Sequence, residues 1–280
     1  MTDNLFCKPG KNGFINWQVK HIVEFCFEID LSEIKKFIPT RIIPLEVRPG
    51  IGVLSFSIPK FPDGNLGCLS AFDEHALRVY IAKDFRKTTR DGLDRVPFFS
   101  TYMLSVAANS DGFLQHTYLI DKMPIYLCQN LVVENSGVEK GNYDFVVYDD
   151  RGMIADLKWT YPNFPQEQIE EKDVFIQIYL GYQGKLYYET LLASIDSFFI
   201  HQKEGNAGKL YPHPFFRGLD LSKVSSYCNF QFIALNFKQY SFYTPELLSP
   251  LKPKDFDPTK HNESDIKAFL NGSKAIVSKY

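Results

Sequence analysis

Residues 19 to 29 alternate strictly: Val19, His21, Val23, Phe25, Phe27 and Ile29 fall on one side, and Lys20, Glu24 and Glu28 on the other. A period of two does not fit a helix, so this stretch reads as a β-strand with one face on a core. The same period returns over Gly52 to Ile58. It returns again over Glu74 to Ala82, where His75, Leu77, Val79 and Ile81 oppose Glu74, Ala76, Arg78 and Tyr80. Between these two stretches, Pro59-Lys-Phe-Pro-Asp-Gly-Asn-Leu-Gly67 is dense in turn formers and reads as a hairpin connection.

The longest such run is Leu114 to Leu127, rich in β-branched and aromatic side chains and interrupted by Pro124. It reads as one long strand with His116, Tyr118, Ile120, Lys122 and Tyr126 on one face. Two Tyr, a His and a Lys beside an Ile suit the wall of a small-molecule pocket better than a solvated sheet face. Further strands are expected over 143–148 and 153–159, joined by the turn Asp149–Gly152, and over 174–180, 186–200 and 227–237. Asp30 and Glu33 form a capping-box signature for a helix from Leu31 to Ile38, stopped by Pro39. Asn262 or Ser264 caps a final amphipathic helix carrying Ile266, Phe269, Leu270, Ile276 and Val277. About ten strands and two or three helices imply a mainly β (α+β) chain. The expected form is a closed or nearly closed antiparallel β-barrel with a few peripheral helices. With strands spread from residue 18 to residue 240 and 25 Phe and 16 Tyr to fill a core, 1–280 reads as a single domain with an extended N-terminal arm.

Charge and motifs narrow the function. A net charge of −2 gives no broad basic surface, so nucleic acid is not an expected partner. No run of about 18 apolar residues is present, and a membrane partner is not expected either. Five cysteines, Cys7, Cys26, Cys68, Cys128 and Cys228, are odd in number and without a Cys-x-x-Cys pair. That pattern implies thiols in a reducing compartment, a cytoplasmic location and no zinc site. Asp73 and His75 share a face but have no third ligand nearby, so no metal is expected, and no cofactor motif is found. The charged run 84–96 reads as a solvated loop.

Lys122 is the candidate nucleophile, because a lysine in an apolar wall loses its proton readily and can then attack a ketone. Glu74 and His116 are the other catalytic candidates, as general acid or base. Arg78, on the Glu74 face, and Tyr118 are candidate substrate contacts.

These patterns resemble the acetoacetate decarboxylase superfamily. Val23-Glu-Phe-Cys-Phe-Glu-Ile-Asp30 followed by Ile34-Lys-Lys-Phe-Ile-Pro39 resembles the family's opening strand and short helix. Gly64-Asn-Leu-Gly-Cys68 resembles the turn before its acidic strand, Lys122-Met-Pro-Ile-Tyr-Leu127 its Gly-Tyr-Pro-Lys-Lys-Leu segment, and 142–159 its next hairpin. The resemblance covers roughly residues 15 to 240 and implies a lipocalin-like barrel around an internal pocket, with a homo-oligomer as one option. It also implies that the Schiff-base lysine and its neighbour fall at Ile125 and Tyr126, the family arginine at Lys20, and its Gly-Arg-Glu at Thr117-Tyr118-Leu119. An acidic residue falls at Glu74 if three residues are inserted. Ile125, Tyr126 and Lys20 are therefore candidate substrate contacts in a pocket without the family's lysine. The expectation is a small carbonyl-containing ligand. Lyase, hydratase or isomerase chemistry, a non-catalytic carrier or sensor, and decarboxylation through Lys122 stay open as alternatives.

Overall fold

A computed structural model describes residues 14–67, 69–82, 97–135, 137–138, 143–158, 167–169, 172–201, 205–206 and 208–277. The expected arm over 1–14, the charged run 84–96 and the residues around Trp159 lie almost wholly outside them. The chain opens with β1 (Phe14–Asn16) and β2 (His21–Asp30). Two more strands, β3 (Ile51–Phe61) and β4 (Phe72–Ile81), then form antiparallel hairpins with β2 and with each other. The alternating stretches thus become strands where expected. The helix after Asp30 is shorter than the sequence suggests: α1 spans Leu31–Ile34, with Asp30 accepting from Ser32 N at 2.8 Å. Glu33 does not complete a capping box, because it accepts instead from the distant Asp220 N at 3.1 Å.

The next strand, β5 (Phe99–Ala108), is buried along its whole length, so it carries no alternation to announce it. The stretch from Leu114 to Leu127 is not a strand. Its first part belongs to helix α2 (Asp111–Leu119), capped by Ser110. Phe113, Leu114, Thr117 and Tyr118 are buried together at helical spacing, and this i, i+1, i+4, i+5 pattern overrides the β propensity of the individual residues. Only Pro124 to Tyr126 is extended: Tyr126 N donates to Val106 O at 2.7 Å and Val106 N to Pro124 O at 2.9 Å.

A second sheet follows, from β6 (Val132–Glu134), β7 (Phe145–Asp149) and β8 (Gly152–Leu157). Then come β9 (Glu167–Ile169), β10 (Lys172–Tyr182), β11 (Lys185–His201), β12 (Gly205–Asn206), β13 (Gly208–Leu210), β14 (Val224–Tyr243), β15 (Glu246–Pro250) and α3 (Glu263–Val277). β13 completes the small sheet in the order β13-β8-β7-β6. In the large sheet β14 pairs with β2 on one side and β11 on the other. The order β14-β2-β3-β4-β5-β10-β11 therefore returns to β14. All neighbours in this order are antiparallel except β5 and β10, which are parallel.

Both faces of β2, β3, β4 and β5 are buried over most of their length, which explains why Glu24 is fully enclosed although it alternates with apolar residues. One face, with Phe25, Phe27, Leu54, Phe56 and Leu77, packs on Phe145, Val147 and Ile154 of the small sheet. The other carries Ile22, Val53, Phe61, Ala76, Met103, Leu191, Ala193 and Ala234. No helix among the described residues is long and apolar enough to cross a membrane.

Candidate functional site

The second face surrounds a cavity. About 60 Å³ of it is open to the centre of a water-sized molecule. Since one water needs roughly 10–15 Å³ by that measure, there is room for a compact molecule of a few heavy atoms. Its wall is mostly aliphatic and aromatic, with Glu24, Ser57, Glu74, Arg78, Thr117, Asp121 and Tyr240 as its polar members.

Strand alternation places most of them. On β4, Glu74, Ala76 and Arg78 share the inward face; on β2, Ile22 and Glu24 do. Arg78 donates to Glu24 through NH2, and Tyr80 OH donates to Glu24 Oε1 at 2.8 Å. Ser55 Oγ donates to the same oxygen. Burial works against the Arg78 charge, but the attraction of Glu24 and the neighbouring Tyr80, Tyr240 and Cys26 outweighs it and raises the guanidinium's pKa. This pole of the cavity is thus an ion pair that engages the charge of Arg78, with only its Nε left without a hydrogen-bond partner.

The opposite pole is not satisfied. Phe113 and Thr117 from α2, then Asp121 and Met123 from the segment behind it, contribute to the wall. Phe113 anchors this cover in an aromatic stack, with ring centroids 4.7 Å from Phe72, 5.3 Å from Trp17 and 5.7 Å from Phe61. Glu74 lines the same cavity. Burial pushes the Glu74 carboxyl up to about 8, with Arg78 pulling the other way. Burial, reinforced by Glu74, likewise raises Asp121 well above the usual carboxylate range. Two carboxyls with elevated pKa in one cavity can hold and exchange a proton near neutral pH.

Of the residues expected from sequence to form a site, Glu74 and Arg78 line the cavity. Ile125 is fully buried in the cluster on the cavity face but is not part of the wall. Lys122 is also absent from the wall: its backbone has φ of 60°, and its Nζ donates to Leu119 O and lies 5.0 Å from the Tyr182 ring centroid. Burial lowers its pKa while Asp121 opposes the shift. His116 stands behind the wall, Nε2 3.8 Å from Asp121 Oδ1, with burial depressing its pKa to about 4. Tyr118 packs on Tyr182, ring centroids 5.0 Å apart, and Lys20 is exposed. Tyr126 turns to the other apolar cluster, where its hydroxyl accepts from Arg151 at 3.1 Å. Asp73 pairs with Lys60 at 3.0 Å and His75 stacks on Phe56, so the two are not drawn together as ligands.

Sequence reasoning missed Glu24, Thr117, Asp121 and Tyr240. The strand reading put Thr117 and Asp121 on the face opposite Lys122, whereas α2 brings Thr117, and the segment behind it Asp121, to the cavity wall. For Glu24 the signal was present: Ile22 and Cys26 flank it at period two, which marks a second buried face.

The arrangement of strands has counterparts among solved structures. The enduracididine biosynthesis enzyme MppR with HEPES buffer bound matches with a TM-score of 0.57 at 13% identity, over 88% of this chain and 90% of that one. Acetoacetate decarboxylase from Legionella pneumophila matches with a TM-score of 0.55 at 14% identity, over 85% and 88%. The fold is that of acetoacetate decarboxylase. A further structure of MppR, complexed with pyruvate, matches with a TM-score of 0.52 at 13% identity, over 85% and 90%. No protein-family model and no curated protein sequence matches the chain. At such identities the acetoacetate decarboxylase-like fold is shared while the side chains of the cavity are this chain's own.

Proposed function

We propose that this protein is a single-domain, cytoplasmic acetoacetate decarboxylase-like barrel. The reading is that its cavity binds a small carbonyl-containing metabolite and moves a proton next to the carbonyl without a Schiff base. The observation that carries it is the meeting of Glu74 and Asp121 in one cavity with no lysine in its wall among the described residues. The return of the strand order to β14 supports the barrel, and the pyruvate complex of a protein of the same fold supports the ligand class.

In this scheme Glu74, neutral near pH 7, donates a hydrogen bond to the carbonyl oxygen. Asp121 in its ionised form takes a proton from the adjacent carbon, and the C–H electron pair moves into an enol C=C as the oxygen gains the Glu74 proton. Return of a proton to carbon completes an isomerase, lyase or hydratase half-reaction. A second reading, a carrier, is favoured by the Phe61, Phe98, Phe99, Phe113, Phe237 and Phe242 rings of the wall.

The test is deuterium exchange. With butan-2-one in D2O, NMR should show protein-dependent loss of the α-proton signal, slowed at least about 100-fold in Glu74→Gln. Binding without exchange would establish the carrier, and neither binding nor exchange would contradict both readings.

A further inference from the structure

The cavity's unsatisfied pole has a charge imbalance. Four buried carboxyls, Glu24, Glu74, Asp121 and Glu189, lie in one electrostatic network reaching Tyr240 and Asp121. Glu189 is only 1% exposed, and neither of its carboxyl oxygens has a hydrogen-bond partner in the protein. It alternates along β11 with Leu191, Ala193 and Ile195, all of which line the cavity, so its side chain belongs to the inward row just beyond them.

Among the described residues two cations stand against these carboxyls. Arg78 acts on Glu74 but is already engaged by Glu24, and Lys122 acts on Asp121 while its ammonium is held on Leu119 O. Among the described residues no positive group acts on Glu189, which feels the charge of Asp121. His116 supplies no charge at neutral pH, because burial holds it far below its usual range, and both of its ring nitrogens lack hydrogen-bond partners, as does Thr117 Oγ1. Buried polar groups left without partners, carboxyls among them, are costly beside a void unless something arrives to fill it.

Resting on the carbonyl reading above, we infer that the Asp121–Glu189 end of the cavity receives a protonated amine, so that the ligand class is a small amino-carbonyl compound. An ammonium brings the positive charge that this pole lacks, with three N–H donors for its carboxyl oxygens. A metal ion fits less well, since among the described residues no three His, Cys, Asp or Glu side chains converge closely enough to hold one. In the empty protein the deficit is filled by protons on the carboxyls, so an arriving ammonium must displace one into solvent.

Calorimetric titration with three probes of nearly equal size tests this: aminoacetone, butan-2-one and propylamine. Aminoacetone should bind at least tenfold tighter than butan-2-one. The preference should grow between pH 6 and 8, with proton release visible as a dependence of the heat on buffer. Asp121→Asn and Glu189→Gln should each bring the two affinities towards equality, and Glu189→Gln, outside the proton-transfer pair, should leave butan-2-one binding in place. Equal or tighter binding of butan-2-one, or a preference that survives both substitutions, would overturn the inference. Binding of propylamine alone would retain the amine site and sink the carbonyl reading, and failure of all three probes would remove both.

Discussion

Two buried polar clusters, one on each face of the large sheet, put similar residues to different use. On the small-sheet side His213 Nε2 bonds Asp149 Oδ1 at 3.0 Å, both side chains enclosed. His213 Nδ1 accepts from Phe215 N at 3.2 Å, and Arg151 N donates to Asp149 Oδ1 at 2.7 Å. The rings of Tyr126 and Phe215 pack around this pair. Both ring nitrogens are used, Asp149 Oδ2 is the one atom of the pair left without a hydrogen-bond partner, and the pair lines no part of the cavity. On the cavity side Glu74, Asp121, Glu189 and His116 are equally buried, yet Glu189 and His116 have no hydrogen-bond partner and Glu74 and Asp121 border a void. Partnered polar groups in a packed interior hold a fold together. Unpartnered ones around a void are tolerated at a loss of stability and point to a ligand.

If this contrast is right, substitutions on the two sides should move stability in opposite directions. Asp149→Ala strands the His213 ring and should lower stability by about 2–4 kcal/mol in urea unfolding, with α-proton exchange unchanged. A loss below about 1 kcal/mol would dissolve the contrast. Glu74→Gln should instead stabilise. The folded pKa of Glu74, about 8, lies above its ordinary value of 4.5, so between those values the folded chain holds a proton that the unfolded chain has released. Stability from this group is therefore complete below pH 4.5 and falls as pH rises towards 8. Gln removes that titration, and at pH 9 the variant should exceed the parent by on the order of 2–4 kcal/mol. Equal slopes of stability against pH in parent and variant would contradict this. The smallest effect is expected at Lys122, on neither side of the comparison: Lys122→Met should change stability by less than about 1 kcal/mol and leave exchange intact. Borohydride reduction with pyruvate should leave Lys122 unmodified by mass spectrometry, and a reduced adduct there would reinstate the Schiff base.

How far the sequence leads differs between these parts for physical reasons. β2, β3, β4, β7 and β8 were legible because alternation survives where the two faces differ in polarity. β5 was not, since burial on both faces erases the pattern. α2 was misread because Thr117, Tyr118 and Ile120 favour strands one at a time, while the spacing of Phe113, Leu114, Thr117 and Tyr118 and the Ser110 cap favour a helix together. That error alone displaced the candidate site. It made Lys122 a wall residue and hid Asp121 and Thr117, although Glu74 and Arg78, on a strand whose period was clear, were found. Glu189 could not be found at all, because its importance comes from Asp121, 68 positions earlier in the sequence.

The protonation of one side chain decides most. Site-resolved carboxyl NMR of Glu74, assigned by comparison with Glu74→Gln, should show a neutral carboxylic acid at pH 7 that titrates near 8. An ordinary carboxylate titrating near 4.5 would mean that the cavity neither holds a proton for chemistry nor strains against its own charge.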